Sequence, residues 1–497
     1  MAPVASDMEE NSMASLPGLP GLPARTLRIG IRSRLGTTDP SLVKDSDTHM
    51  GLEPVFETPF AGVAGNEEPV PVLFSESLRA ESNGLVLSAA VRPGITFSDG
   101  TPCTAEAISA SLQRVLDLKA RAKVQARGER VEFTLRTADP HFSALLTQPS
   151  YGIVLPVGGK LLGTGSFLGP EALDGGDPTQ TDHVILRANP RAREKPKVDA
   201  VILDVYTDTE ALLAAVIAGE VHITYGLTSA HLPLLRGAPV YPKVLEGTST
   251  GILFVNTERP ALRDVRIRRA ICAAPSRADV ARALFGPLGL SFAAKGLLPP
   301  FLGPETALGV LDGSPGEAAK LLAEPGVQPP QSLELLLTWA AKAYLPDPPA
   351  AAKVIAEQLQ AVGIPVKVVV PRDRSDYRSR QARGAYDLLL GGWIADTREP
   401  ADFLDSLLQS EMVPDLTATR PAANNLSRWK DAKTDEELSR FRTSKSHEDL
   451  LALYRTVLEQ GLLTPLLHGK VVVVFHSSLR GFRPSLHTRS AFSGIDF

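Results

Sequence analysis

Tyr386-Asp-Leu-Leu-Leu-Gly-Gly-Trp-Ile-Ala-Asp-Thr-Arg-Glu-Pro400 is the run best suited to handle a ligand. An apolar strand delivers Trp393 and Asp396 to a loop, and open α/β sheets place ligand groups at such strand ends. Trp393 would form an apolar wall, while Asp396 by position alone reads as the cap of a turn. Catalytic motifs find less support. Gly247-Thr-Ser-Thr-Gly251 has G-x-S-x-G spacing, but a strand pattern follows it where a nucleophile elbow needs a helix, so it reads as a chance match. Gly163 to Gly169 lacks the spacing and following helix of a nucleotide site, and there is no P-loop or H-E-x-x-H run. Cys103 and Cys272 have no metal-ligand spacing; they read as buried free thiols, with a disulfide left open. His222, at a strand edge, reads as structural rather than as a proton-transfer group. No catalytic residue, cofactor or metal is therefore expected.

A chain of 497 residues with 43% hydrophobic and 22% charged residues can bury a large core and should divide into two or more domains. Its 52 basic and 56 acidic side chains leave a net charge of −4, without the basic excess that a nucleic-acid partner would call for. No run of about 18 apolar residues occurs, so no membrane span is expected.

The elements that position the candidate groups are legible in outline. Thr26 to Ile31 alternates as a strand, and Val201 to Tyr206, Thr209 to Ala218 and Gly219 to Ile223 run as strand, helix and turn into strand. Leu85 to Val91 reads as a strand ending at Pro93-Gly94, and Ile95 to Phe97 as a second one ending at Ser98-Asp99-Gly100. Thr104 stands as an N-cap, Glu106 in the first turn, and Ile108, Leu112, Val115 and Leu116 recur at helical spacing. Pro275 should interrupt a helix. Asp347 with Pro348 should start another that stops at Gly363, before the strand Ile364 to Val370.

The wording of Val91 to Arg114 resembles the signature of the family 5 solute-binding proteins, which serve ABC importers of peptides, nickel complexes and some sugars. Arg92-Pro93-Gly94, Phe97-Ser98-Asp99-Gly100-Thr101-Pro102, Ala105-Glu106 and Arg114 match it in order. Thr38-Asp39-Pro40, Gly163-Thr-Gly-Ser-Phe167, Leu186-Arg-Ala-Asn-Pro190, Gly251 to Asn256 and Arg263 to Ala270 resemble later family elements, so the likeness extends over most of Thr26 to Pro484. The stretch from Leu112 to Gly163 looks shorter than the family's subdomain.

The resemblance implies an α/β, two-lobed periplasmic-binding-protein-like fold of type II, with mixed sheets flanked by helices and a hinge between lobes. The expected division is a disordered leader over 1–24, a first lobe over 25–251 plus 466–497 with a trimmed subdomain near 61–154, and a second lobe over 252–465. In peptide-binding members the Asp matching Asp396 pairs with the ligand's α-ammonium, a directional contact because an unpaired buried charge is costly. Trp393 and the segment Thr248, Ser249 and Thr250 would line the cleft. The Arg that some peptide-binding members carry shortly before the Trp is absent at Leu390, Gly391 and Gly392, which leaves Arg372, Arg374, Arg378 and Arg380 as alternative partners for a carboxylate.

The function implied is capture of a short peptide or peptide-like ligand for an ABC permease and ATPase, by a monomer. A second reading is a cytosolic relative that binds a metabolite or has acquired catalysis in the same cleft. It draws on residues 1–24, which carry Asp7, Glu9 and Glu10 and lack both the basic start and the apolar stretch of a secretory signal. The chain as written is thus expected in the cytosol, where the family would imply the periplasm. A ligand-sensing regulator is a third reading, but the leader is too short for a DNA-binding domain.

Overall fold

The structure is a computed structural model that describes residues 22–43, 45–62, 68–286, 292–302, 313–342, 344–395, 397, 399–416, 424–484 and 492–497. Residues 1–21 of the expected leader lie outside the described residues.

Ten strands form one mixed sheet among the described residues. From edge to edge they are Glu171–Ala172, His183–Arg187, Ala200–Val205, Thr26–Ile31, Ile223–Thr224, Leu463–His476, Val240–Val255, Leu388–Ile394, Leu333–Leu337 and Val366–Val369. The runs Leu335-Leu336-Leu337 and Leu388-Leu389-Leu390 are unbroken by polar residues because both faces are covered. Leu335 and Leu388 join one core and Leu336 and Leu389 the core on the opposite face.

Two strands are longer than their sequence patterns suggest. Val240–Val255 and Leu463–His476 run antiparallel through the middle of the sheet, with a register shift between Glu246 and Thr250. At that shift Gly247 lies against the Gly469 carbonyl, where any Cβ would collide with it. The break separates two halves: Val240 to Glu246 pairs only with Lys470 to His476, whereas Thr250 to Val255 also pairs with Leu388–Ile394. Because the whole stretch is continuous strand, the G-x-S-x-G run cannot form a nucleophile elbow.

The signature Val91 to Arg114 belongs to a separate four-stranded sheet, Arg79–Glu81, Val86–Ala90, Arg130–Leu135 and Ala122–Arg127, with its own core around Phe97, Ile108, Leu112 and Phe133. Thr104 caps the helix Ala105–Leu112 as expected, accepting from the Ala107 amide at 3.3 Å. Two expectations fail. Ile95 to Phe97 forms no regular strand, since the turn closes through a lone bridge from Thr96 to Pro102. The helix also stops at Leu112 and restarts as Leu116–Arg121, which turns Leu116 outward to 76% exposure while Val115 stays buried.

Contacts between the family-like segments explain their wording. Arg114 pairs with Asp39, which also caps the turn at Pro40. Gly163 and Gly165 pass so close to the carbonyls of Val55 and Pro54 that a Cβ at either would overlap them, and the Gly165 amide donates to Val55 at 3.0 Å. Asn189 then donates to the Gly165 carbonyl at 2.8 Å. Each of these motifs therefore joins parts of the scaffold.

In the second half, Pro275 separates the helices Val265–Ala273 and Arg277–Phe285, the latter capped by Ser276. Asp347 caps Pro348–Ala361 through the Ala350 amide at 3.0 Å, with Ile355 and Leu359 buried and Gly363 beyond its end at a φ of +88°. Arg268 is buried and donates to the carbonyls of Gln460, Leu262 and Arg263 at 2.7, 3.0 and 3.0 Å, tying helix to neighbouring chain. Cys103 and Cys272 are buried free thiols, and burial pushes them up to about 12 and about 11, so neither is a nucleophile near neutral pH. Among the described residues no helix is long and apolar enough to cross a membrane.

Candidate functional site

Trp393 stands near the end of the strand Leu388–Ile394, opposite Thr250, and its half-buried ring borders two cavities. Gly392 makes this placement possible: a Cβ there would collide with the Thr250 carbonyl and come within 2.6 Å of the Tyr344 ring. An arginine at this point would need Tyr344 to leave, so the same close packing accounts for the glycines before Trp393.

The neighbouring segment behaves differently from residue to residue. The Thr248 carbonyl accepts from the Ala395 amide at 2.7 Å and extends the ladder past Trp393. Thr250 is buried and donates its hydroxyl to the Leu297 carbonyl at 2.9 Å, with His468 Nδ1 at 3.1 Å. Ser249 is also buried, and none of the three borders either cavity. Asp396 lies outside the described residues, but Ala395 and Thr397 on either side of it both line the larger cavity.

That cavity, about 380 Å³, lies between Asp117, Arg121, Asp139 and His141 of the signature subdomain and Glu399, Asp402, Asp405 and Arg442 of the opposite half. Its walls are rich in carboxylates, most of them already paired. Arg442 bridges Asp402, at 3.0 Å, and Asp405. Burial favours a proton on Asp405 while its two carboxylate neighbours favour charge on Arg442. Arg442 stays charged, because a guanidinium does not give up its proton in a protein. Arg121 lies 3.1 Å from Asp117, which also accepts from the Tyr151 hydroxyl at 3.2 Å. Glu399 caps the helix Pro400–Leu408 and meets Lys445 at 3.0 Å and His141 at 3.4 Å.

Trp393 also borders a second cavity, of about 300 Å³, lined by cations. The helix Arg374–Arg383, capped by Asp373, turns Arg374 and Arg378 toward it. Arg372 and Arg380 are instead drawn to Asp376, at 3.9 and 3.2 Å. Lys342 completes the set, its ammonium 5.0 Å from the centre of the Trp339 ring, with the Arg374 guanidinium 5.8 Å from the same ring. Burial, and next the Arg374 charge, lower the proton affinity of Lys342. Among the described residues no carboxylate lines this cavity.

The model of the bacterial extracellular solute-binding proteins, family 5, middle region, matches residues 68–413. The chain belongs to that family. As a family 5 protein it is 26% identical over 315 residues to a dipeptide-binding protein of Pseudomonas aeruginosa PAO1, a match over 61% of this chain and 56% of the relative's length. It is also 26% identical to di/tripeptide-binding protein 2 of P. aeruginosa UCBPP-PA14, over 89% of each chain. The solved structure of HbpA2 from Haemophilus parasuis has the same fold, with a TM-score of 0.80 at 20% identity over 95% of this chain and 99% of that one. The type II periplasmic-binding-protein fold expected from Val91 to Arg114 is thus the fold of this family 5 chain.

Lys342, Trp339 and His141 escaped notice in the sequence, and Glu399 stands there only as part of the run ending at Pro400. The first two carried a signal: Trp339 and Lys342 follow the strand Leu333–Leu337 just as Trp393 ends its own strand, so the strand-end rule applied to both. His141 and Glu399 are 258 residues apart in number, and nothing local to either announces the other.

Proposed function

We propose that the chain is a solute-binding protein that captures a short peptide or peptide-like ligand in the cleft beside Trp393 and hands it to an ABC importer. The observation that carries this reading is the contrast between the two cavities that Trp393 borders, one rich in carboxylates and the other lined by cations. A peptide in water is a zwitterion, and such a cleft can compensate both ends while the indole covers apolar atoms between them. The peptide-binding names of the Pseudomonas relatives support the same reading.

Asp396 would take the ligand's ammonium, Trp393 would form the wall and Thr248 would offer its neighbouring backbone. Ser249 and Thr250 would act from behind by holding that strand in place. The lobes would be 25–251 with 466–497 and 252–465, closing about the break at Gly247 and Gly469, with binding rather than bond breaking as the activity. A monomer outside the cytoplasm fits this role and opposes the cytosolic expectation drawn from residues 1–24; fractionation of the native host's cells decides between the two.

Calorimetric titration with di- and tripeptides, free and end-capped, tests the reading. Free peptides should bind, N-acetylation should weaken them by about tenfold or more, and Asp396→Ala should do the same to the free peptides. If Asp396→Ala leaves every peptide's affinity unchanged, the ammonium role of Asp396 is wrong. If no peptide binds the wild-type protein, the peptide reading is wrong.

A further inference from the structure

The cation-lined cavity contains more positive charge than one carboxylate terminus can balance. Arg374 and Arg378 are one helical turn apart, and like charges at that spacing destabilise a helix rather than support it. The same helix shows the ordinary alternative, since Asp376 is placed between Arg372 and Arg380 and compensates them. Arg374 and Arg378 receive no such partner among the described residues, and both are exposed toward the cavity. Lys342 approaches from a different element, half-buried behind Trp339. Three cations from two elements therefore converge on a space of about 300 Å³ walled by Trp339, Trp393, Tyr344 and Tyr377. Tyr344 and Tyr377 are buried, so hydration is reduced on that wall and charge interactions formed against it are strengthened.

The geometry points to a ligand whose end at this cavity carries two negative charges, bound by Lys342, Arg374 and Arg378 together. Two groups supply at least that charge: a C-terminal aspartate or glutamate, whose side-chain and terminal carboxylates lie a few bonds apart, and a phosphorylated residue, whose phosphate alone carries nearly two charges near neutral pH. Both share the chemistry of a compact dianion. The guanidinium pair suits it because each fork can meet two oxygens, while Lys342 supplies a point charge from beneath. The inference rests on the cleft assignment above but adds a selectivity that peptide binding by itself does not require.

The test compares isosteric pairs by titration calorimetry: Ala-Glu with Ala-Gln, Ala-Asp with Ala-Asn, and Ala-phosphoserine with Ala-Ser. The acidic member should bind about tenfold tighter, and R374Q/R378Q should bring the ratio close to one by weakening the acidic member more than the neutral one. Both positions are exposed on a helix surface, so the variant should fold normally. A preference confined to the carboxylate pairs identifies the dicarboxylate as the source, and one confined to phosphoserine identifies the phosphate. Ratios near one in the wild-type protein, or ratios unchanged in R374Q/R378Q, overturn the inference and leave peptide binding standing. Should no dipeptide bind, glutarate and inorganic phosphate separate the two ideas by thermal shift. Stabilisation of wild type but not of R374Q/R378Q retains the dianion site without the peptide, and stabilisation of neither rejects it.

Discussion

His141 and Glu399 meet across the cleft, Nδ1 to Oε2 at 3.4 Å, while the other ring nitrogen of His141 lies 3.3 Å from the Arg442 carbonyl. One imidazole from the signature subdomain thus touches both a helix cap and a helix of the opposite half. Both side chains are largely withdrawn from water, so the contact competes with little hydration.

His141→Ala should shift the ligand-free protein toward an opened arrangement, read as a larger radius of gyration by X-ray scattering. Peptide affinity should fall by roughly three- to tenfold, the loss of about one such contact in the closed state. Unfolding by urea should change little, because the contact joins the halves rather than building either core. An unchanged scattering profile would remove His141 from any account of closure.

Stability should depend on pH through His222. Its Nδ1 accepts from the Arg28 amide at 2.9 Å, and its ring packs on Phe497 at 5.0 Å. Burial, then His476 and Arg28, lower it from 6.5 to about 4, with Asp204 acting in the opposite sense. Between those values the unfolded chain binds the extra proton and the folded one does not, so folding is weakened as pH falls from 6.5 toward 4. Above 6.5 this contribution is complete; the whole effect is on the order of 3 kcal/mol. His222→Gln should flatten the difference between urea midpoints measured at about pH 7.5 and about pH 5.

Two glycines should respond in opposite directions to alanine. At Gly392 the added carbon meets the Thr250 carbonyl and the Tyr344 ring, so Gly392→Ala should cost about 2 kcal/mol and weaken ligand binding by displacing Tyr344. Gly316, exposed in the helix Pro315–Leu322, has open space around it and no positive φ. Gly316→Ala should stabilise by about 0.5 to 1 kcal/mol. Denaturant titrations of both variants provide the comparison.

Arg268→Met keeps most of the aliphatic volume but strands the carbonyls of Gln460, Leu262 and Arg263. The cost should be about 3 kcal/mol by urea unfolding, since buried acceptors lose their donor. Peptide affinity of the folded protein should be unaltered. Arg268→Lys should recover only part of the loss, because one ammonium cannot reproduce the planar fork.

Local chemistry was legible wherever a few consecutive residues determine the outcome. Thr104, Asp347 with Pro348, and Pro275 start or stop helices through contacts within one turn, and each acts as its sequence suggests. The errors arose where packing overrides period. Leu116 has helical spacing from Ile108 and Leu112, yet the chain restarts a short helix there and turns it to solvent. Thr248 to Thr250 reads as a source of hydroxyls or amides, and in a strand flanked on both sides the Thr250 hydroxyl is already engaged with Leu297 and His468.

The four arginines from Arg372 to Arg380 show the limit most clearly. Their positions were visible in the sequence, and their order could not distinguish a solvated helix face from a binding surface. Tertiary structure divided them, because Asp376 lies within reach of Arg372 and Arg380 while Arg374 and Arg378 face Lys342 and two tryptophans from distant segments. By itself the sequence determined the family, the scaffold joints and the strand that carries Trp393, since those rest on short-range backbone geometry and an unmistakable order of motifs. The charges lining the two cavities that share Trp393, and the meeting of His141 with Glu399, depend on segments brought together only when the sheet and its helices close around their cores.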